Sequence, residues 1–315
     1  MSNLKKGLLF YNPKSGHSRT EQQCEVINKH FANHHIELET ILIPQRHEEI
    51  HKIISTAIKD GIDLFIAAGG DGTVSMISTH LVKTDIPIGI IPLGTGNLLA
   101  RALDIPLKLE NALDLITSDH QEIVNIDTFK MDDRYFLLNI SVGVSPKIME
   151  SVDSEQKQRL GFFAYLINFI QQLLGLALQR VEIEYDHNKT TYAASEILLT
   201  NIGTAGVEPL TWSDEILLND GTLDLLIFRA ASLLDILGLV IAVFSKKGGL
   251  NPVIKFLKVK EYCRLTSQSP MHTQADGDVI GKTPFTIHVC PNSLKIIAGK
   301  SNKVNQKEGV NNENL

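Results

Sequence analysis

The sequence is poor in the features that mark secreted, zinc-scaffold or nucleic-acid-binding proteins. It has only three cysteines in 315 residues, and Cys24, Cys263 and Cys290 lie far apart without a CxxC pair. This pattern argues against a disulfide framework or a cysteine zinc site. The net charge is −6, with Lys and Arg scattered through the first half, so no bulk positive field attracts a polyanion and we expect no nucleic-acid partner.

Long apolar segments are also missing. The longest apolar stretch, residues 233–244, includes Asp235 and falls short of the ~20 residues that cross a bilayer. The first apolar stretch, residues 7–11, is too short for the apolar region of a signal peptide. We therefore expect a cytoplasmic protein without a transmembrane anchor.

What the sequence does contain is typical of a folded protein with more than one core. Hydrophobic residues make up 43% and charged residues 21% of the chain, which are ordinary values for a globular protein. Because single cores rarely grow beyond roughly 250 residues, a chain of 315 residues is expected to form two domains.

The first part of the chain alternates between short apolar runs and amphipathic stretches, which predicts βαβ units around a parallel sheet. We assign residues 1–128 to this α/β domain. Apolar residues at helical spacing predict two helices, one around Cys24, Ile27 and Phe31 and one over residues 50–58. The predicted strands are residues 8–11, 38–43, 64–68, 88–91 and 123–129.

The second part consists mainly of successive strand-like runs separated by turn residues, which favours an antiparallel β-sandwich over residues 129–300. Two apolar stretches, residues 160–178 and 232–244, are predicted to be helices. The tail, residues 301–315, has no periodicity and is expected to be disordered. The predicted strands are residues 135–144, 181–185, 193–201, 223–228, 262–266 and 285–289.

Three glycine-rich segments each follow a predicted strand of the first domain: residues 12–16 (NPKSG), 69–73 (GGDGT) and 92–97 (PLGTGN). In an open α/β sheet, ligands bind at the carboxyl ends of the strands, so these loops can converge on one crevice. Glycines let backbone N–H groups approach an anion, and the helix that follows adds its positive end. Any one loop alone could be a simple tight turn, but the three together predict a phosphate and nucleotide site.

The loops match neither a Walker A segment nor the GxGxxG pattern of dinucleotide-binding enzymes. Asp71 is unusual because a carboxylate among phosphate-binding amides repels phosphate unless Mg²⁺ lies between them or the carboxyl group takes up a proton. Thr73 and Thr95 can donate hydrogen bonds to phosphate oxygens, and Lys14 supplies a positive charge.

These loops, in this order, resemble the diacylglycerol kinase catalytic family, which includes diacylglycerol, sphingosine and ceramide kinases and the bacterial YegS-like lipid kinases. The resemblance extends over residues 4–298, because residues 219–224 (NDGTLD) and 276–278 (DGD) are similar to the Asp-Gly motifs of the family's C-terminal domain. It implies an α/β domain of the NAD kinase and phosphofructokinase type, followed by a β-sandwich. It also implies transfer of the γ-phosphoryl group of ATP to a lipid hydroxyl with Mg²⁺, in lipid metabolism and phospholipid biosynthesis.

The resemblance also implies roles for individual residues. Asp71, Asp278 and Asp127 are the predicted catalytic carboxylates, and Asp71 and Asp220 are the predicted metal ligands. The predicted nucleotide-binding residues are Asn12, Lys14, Ser15, Gly16, Gly69, Gly70, Gly72, Thr73, Gly94, Thr95, Gly96, Asn97 and Arg101.

The chain departs from the family pattern at two positions. Asp278 stands where some members have the glutamate that is proposed as the general base, and Leu98 stands where many bacterial diacylglycerol kinases have an acidic residue. The acceptor therefore stays open between a diacylglycerol-like and a sphingoid lipid. Asp220 could equally be an ordinary turn residue.

An apolar stretch beside a basic cluster predicts peripheral contact with the inner face of an anionic membrane. The apolar stretch is residues 233–244, and the basic residues are Lys246, Lys247, Lys255, Lys258, Lys260 and Arg264. A buried helix followed by a charged strand would give the same pattern, and a homodimer also stays open. Two other functions compete with the lipid kinase: a GGDG kinase with a soluble substrate, such as NAD kinase, and a non-catalytic nucleotide- or lipid-binding regulator.

Overall fold

The structure is a computed structural model, and it describes residues 5–13, 15, 20–43, 47–143, 178–204, 211–230, 232, 234–235, 238, 241 and 253–299. The predicted helix over residues 160–178 except its last residue, most of the predicted helix over 232–244 and the predicted disordered tail lie outside the described residues. Within the described ranges, no helix is long and apolar enough to span a membrane.

The chain divides into two compact units. Unit 1 comprises residues 1–128 and the C-terminal residues from Pro291 onward, and unit 2 comprises residues 129–290. The sequence prediction placed residues 129–300 together, whereas residues 291–299 lie with unit 1. The physical reason is the length of the last strand, Phe285–Ala298, whose final residues pair with a strand of unit 1.

Unit 1 is an α/β unit with the predicted alternation. Its helices are α1 (Thr20–Asn33), α2 (His47–Lys59), α3 (Asp71–Ser78), α4 (Leu98–Ala102) and α5 (Leu109–Thr117). Its strands are β1 (Lys6–Tyr11), β2 (Glu37–Leu42), β3 (Leu64–Gly69), β4 (Ile88–Pro92) and the first part of β5 (Glu122–Met131).

The sheet of unit 1 is parallel, in the order β2-β1-β3-β4, and Ile296 near the end of the last strand pairs in parallel with Ile88 of β4. One face of the sheet packs against α1 and α5 through residues such as Leu9, Phe31 and Ile116. Every residue of β3 and β4 is buried, as expected for central parallel strands covered on both faces. Because β1, β3 and β4 run in the same direction, the loops that follow them leave the sheet at one edge.

Unit 2 is antiparallel, as the sequence predicts. Its strands are the end of β5, β6 (Arg134–Phe136), β7 (Asn139–Val142), β8 (Gln179–Tyr185), β9 (Asn188–Ala194), β10 (Glu196–Thr200), β11 (Leu223–Phe228), β12 (Ile254–Val259), β13 (Tyr262–Ser267), β14 (His272–Ala275), β15 (Asp278–Lys282) and the first part of β16 (Phe285–Ala298).

Two sheets face each other in unit 2. One has the order β12-β11-β10-β7-β14-β15, and the other runs from the first part of β16 through β13 and β8 to β9. Alternate residues of both sheets form one core, which includes Ile140, Leu199 and Leu225 from the first sheet and Val181 and Leu265 from the second. This arrangement is a β-sandwich, which confirms the predicted fold class.

Two predicted strands are interrupted in the structure. The run over residues 135–144 breaks between β6 and β7 because the Asp276 carboxylate accepts hydrogen bonds from the N–H groups of Leu137, Leu138 and Asn139. The run over residues 193–201 breaks at Ser195, whose N–H and hydroxyl both donate to the Phe228 carbonyl. In each case a side chain or a distant carbonyl replaces a regular ladder hydrogen bond.

Candidate active site

The first two glycine-rich loops are joined by side chains at the edge of the sheet. Asn12 follows β1 directly, and its Nδ2 donates to Thr73 Oγ1 at 2.9 Å. The backbone N–H of Asn12 donates to the Ala68 carbonyl of the neighbouring strand β3 at 2.9 Å. Thr73 lies in the first turn of α3, where its own N–H donates to the Gly70 carbonyl. The structure therefore fixes the first loop against the start of α3.

The second and third loops touch through their backbones. A Cβ atom added to Gly94 would lie 2.5 Å from the Gly70 Cα, and one added to Gly70 would lie 3.3 Å from the Gly94 Cα. No side chain fits between chains this close, so glycine is required at Gly94 for steric reasons. The Leu93 N–H also donates to the Gly69 carbonyl at 2.9 Å.

The Asp71 carboxylate links the second loop to the N-terminus of α4. Its Oδ1 accepts the N–H of Leu99 at 3.3 Å. Burial raises the pKa of the Asp71 carboxyl, and the N–H groups of Leu99, Leu98 and Asn97 offset part of that rise. A carboxyl group with a raised pKa among oriented amides can exchange a proton more readily than an exposed aspartate can.

Asn97 shapes the third loop. Its backbone is left-handed, with φ of 49°, and its side chain bridges the turn by accepting from the Gly94 N–H at 3.0 Å and donating to the Gly94 carbonyl at 2.7 Å. Arg101, one turn into α4, donates from Nε to the Gly96 carbonyl at 3.0 Å. The side chains of both predicted binding residues therefore hold the loop itself.

Other predicted members of the site differ in accessibility. Gly72 and Thr95 are exposed and Ser15 is half-buried, while Lys14 and Gly16 lie outside the described residues. Gly72 and Thr95 are therefore the exposed residues of these two loops whose backbone N–H groups could meet phosphate oxygens.

Asp127 is a buried residue with a contact inside unit 1. It is 1% exposed, and its Oδ1 accepts the N–H of Asn292 at 2.7 Å. Asn292 has positive φ and belongs to the returning C-terminal segment. This contact shows that Asp127 anchors the backbone of the C-terminal segment. Its predicted catalytic role stays a prediction.

The Asp276-Gly277-Asp278 motif forms the turn between β14 and β15 in unit 2. Asp276 is the residue that binds the three backbone N–H groups between β6 and β7, a role that sequence reasoning did not assign to it. Asp278 is exposed at the start of β15. The turn therefore contains one carboxylate that accepts backbone N–H groups, Asp276, and one that is exposed, Asp278.

Asp220 lies in the turn before β11, and both of its carboxylate oxygens have partners. Oδ1 accepts from the N–H and the hydroxyl of Thr222 at 3.0 and 2.6 Å, and Oδ2 pairs with Lys258 Nζ at 2.9 Å. Among the described residues no group of three metal-ligating side chains is present. Both carboxylate oxygens of Asp220 therefore have partners within the protein, and its predicted role as a metal ligand stays a prediction.

Two family models match the chain in succession. Residues 6–131 match the diacylglycerol kinase catalytic domain, and residues 139–298 match the YegS C-terminal domain, described as NAD kinase beta sandwich-like. The second match alone covers just over half of the 315 residues. The chain belongs to the diacylglycerol kinase family. It is a phosphotransferase of the lipid kinase class, which confirms the predicted family and enzyme class.

Individual relatives are similar to this chain over nearly its whole length. An uncharacterised protein of Synechocystis is 31% identical, over 96% of this chain and 72% of its own length. A diacylglycerol kinase of Staphylococcus aureus is 28% identical, over 99% of this chain and 97% of its own length. A crystal structure of a diacylglycerol kinase from Bacillus anthracis shares the fold, with a TM-score of 0.79 and 23% identity over 95% of this chain and 99% of its own.

Proposed function

We propose that this lipid kinase transfers the γ-phosphoryl group of ATP, in the presence of Mg²⁺, to the hydroxyl group of a diacylglycerol-like or sphingoid lipid. The observation that carries the proposal is the convergence of three glycine-rich loops, with Asn12 bonded to Thr73 and Gly94 against Gly70. Such a cluster presents amides and hydroxyl groups to a polyphosphate at the carboxyl edge of a parallel sheet.

The loop residues and Asp71 have different proposed roles in the reaction. The accessible amides of the second and third loops, with Thr73 and Thr95, are proposed to hold the phosphate oxygens, and Asp71 orients the loops through the α4 amides. Mg²⁺, when bound with the nucleotide, would neutralise charge on the phosphates. In the transfer, the lipid oxygen bonds to the γ-phosphorus as the bond to the ADP oxygen breaks.

The proton of the lipid hydroxyl needs an acceptor during this step. We assign it to Asp278 because that residue stands where some family members have the glutamate proposed as the general base, and because Asp278 is exposed.

The test is an acceptor screen with labelled ATP and Mg²⁺. Mixed micelles would contain diacylglycerol, monoacylglycerol, ceramide or sphingosine, and a separate reaction would contain NAD. We expect label in one lipid class and none in NAD. Asp71→Ala should lower labelling by about 100-fold or more because the loops lose their positions, whereas Asp119→Ala, at an exposed turn aspartate of unit 1, should not change it.

Two results would reject the proposal. Labelled NAD without labelled lipid would support the soluble-substrate kinase, and thermal stabilisation by Mg-ATP without turnover on any lipid would support the non-catalytic regulator. An Asp71→Ala protein that retains near-normal turnover would remove the role given to that residue.

We also propose that the kinase reaches its acceptor by docking on an anionic membrane. Leu234 and Ile241, seven residues apart, are 79% and 60% exposed, and Lys255 and Lys260 are exposed on and just after β12. Residues seven apart on a helix share one face, so apolar and basic groups of this kind suit the interface of an anionic bilayer. Lys258 belongs to the predicted basic cluster as well, but its ammonium group pairs with Asp220.

Co-sedimentation with vesicles measures this docking. We expect binding to phosphatidylglycerol-containing vesicles at low salt, weaker binding at high salt and none to neutral vesicles. The double change Leu234→Asp with Ile241→Asp should abolish binding, and Val26→Asp, at an exposed apolar residue of α1 in unit 1, should retain it. Equal binding by both variants, or no binding at low salt, would rule the surface out.

A further inference from the structure

Two buried carboxylates and one ammonium group meet beside strands β11 and β12. Asp224 and Lys258 are directly opposite each other in the antiparallel register, so their side chains lie on the same face of the sheet. Asp220 precedes β11 by one turn and approaches the same ammonium group. The side chains of Asp220 and Asp224 are only 6% and 5% exposed, whereas that of Lys258 is 45% exposed.

The distances show an unequal sharing of the positive charge. Lys258 Nζ lies 2.9 Å from Asp220 Oδ2 and 4.0 Å from Asp224 Oδ1. Asp224 Oδ2 is buried and has no hydrogen-bond partner among the described residues. Two buried negative charges without a nearby cation would be strongly destabilising, so the Lys258 ammonium group has a compensating function that a lysine without buried carboxylate neighbours would lack.

The resemblance predicts Asp220 as a ligand of a structural Mg²⁺ ion. Magnesium needs oxygen ligands in near-octahedral geometry, and here both oxygens of Asp220 are occupied by Thr222 and Lys258. The long lysine side chain reaches the carboxylates from the neighbouring strand and brings the positive charge with it. The carboxylate pair and the lysine that contacts it together indicate that the Lys258 ammonium group is the cation at this position.

We propose that the Lys258 ammonium group takes the place of a structural divalent ion at the Asp220–Asp224 pair, so that the sandwich of unit 2 is stable without metal. The proposal concerns folding stability and does not depend on the phosphoryl-transfer activity. It predicts that wild-type thermal unfolding is the same in EDTA and in millimolar Mg²⁺, measured without nucleotide.

The decisive variant is Lys258→Met, which keeps most of the apolar side chain and removes the charge. In EDTA its Tm should fall by about 5 °C, and Mg²⁺ should restore part of the loss because the vacated carboxylate pair can then accept a metal ion. Lys255→Met, at an exposed lysine on the same strand, is the matched control and should keep the wild-type Tm. Lys258→Gln replaces Lys258→Met if the latter does not fold.

Two outcomes would overturn the proposal. The first is a wild-type Tm that rises with Mg²⁺ and loses this rise in Asp220→Asn, because the response would then come from a metal ion at Asp220. The second is a Lys258→Met protein as stable in EDTA as the Lys255→Met control, because Lys258 would then contribute no compensating charge.

Discussion

Gly94 has no room for a side chain. A Cβ atom at this position would lie 2.5 Å from the Gly70 Cα and 2.9 Å from Asn97 Oδ1, so Gly94→Ala must push the second and third loops apart. We expect the KM for ATP to rise by about tenfold or more and kcat to fall, because phosphate-binding amides lose their relative positions. Steady-state kinetics with varied ATP measure the effect.

Gly72→Ala is the steric control for stability. A Cβ atom there would meet nothing within 4 Å, and alanine is favoured over glycine in a helix by up to about 1 kcal/mol. Its Tm should equal or exceed that of the wild type, whereas Gly94→Ala should lower the Tm. Equal Tm values for the two variants would mean that the loops can separate without cost.

Glu196 gives unit 2 a pH-dependent stability. It is 6% exposed, its Oε2 has no hydrogen-bond partner in the described part of the chain, and burial raises its pKa from 4.5 to about 8. The folded state therefore keeps a proton that the unfolded state releases. The stabilising contribution is complete below pH 4.5 and is lost as the pH rises toward about 8, with a slope of about 1.4 kcal/mol per pH unit.

Glu196→Gln removes this titration while keeping the shape of the side chain. We expect its free energy of unfolding, from urea titrations across the same pH window, to decline less with rising pH than that of the wild type. Glu37→Gln, at an exposed glutamate on β2, should show the wild-type slope. Parallel wild-type and Glu196→Gln curves would show that Glu196 is ionised in the folded state.

At the scale of elements, the third loop depends on Asn97. The residue combines a left-handed backbone with two hydrogen bonds across the turn. Asn97→Gly loses the side-chain hydrogen bonds but still adopts the left-handed backbone conformation easily. Asn97→Ala loses the hydrogen bonds and also disfavours that conformation. Both changes should raise the KM for ATP, by about tenfold for glycine and further for alanine.

The informative result is which of these two variants has the higher KM for ATP. Asn97→Ala with the wild-type KM for ATP would show that the loop does not need this residue. Asn188→Ala, which removes a hydrogen bond in the exposed turn between β8 and β9, is the control for loss of an asparagine and should leave the KM unchanged.

At the scale of the whole molecule, the chain returns to unit 1 at its C-terminal end. Asp127 accepts the Asn292 N–H, Thr128 and Ser293 share a hydrogen bond at 2.7 Å, and Lys295 pairs with Asp85 at 2.8 Å. Asp127→Ala leaves a backbone N–H group without this acceptor, so we expect a loss of about 1–3 kcal/mol in the free energy of unfolding.

Asp127→Asn distinguishes anchoring from catalysis, because an amide oxygen can still accept the Asn292 N–H. We expect thermal and urea unfolding to rank Asp127→Asn between the wild type and Asp127→Ala. Wild-type stability in both variants, with activity lost in both, would favour the catalytic role predicted for Asp127.

The sequence alone was sufficient to predict the alternation of strands, loops and helices in unit 1. Buried parallel strands give continuous apolar runs, and glycines mark the turns at their ends, so strands such as Leu64–Gly69 and Ile88–Pro92 were located nearly to the residue. The order of the three loops was also enough to predict the family, because each motif consists of neighbouring residues in the sequence. In unit 2 the local pattern was weaker, and β9, β12, β14 and β15 were not predicted as strands because polar and apolar residues do not alternate regularly along them.

Only the tertiary structure decided which polar residues face one another. Asp71 meets the α4 amides, Asp276 binds the backbone beside β7, and Lys258 meets Asp220, across sequence separations that no local pattern encodes. The reason is physical: periodicity and turn chemistry act over a few residues, whereas hydrogen bonds and charge pairing depend on strand register and on which loops share an edge. The sequence determined the chemistry available to this kinase, and the fold determined which carboxylates anchor backbone and which remain accessible for reaction.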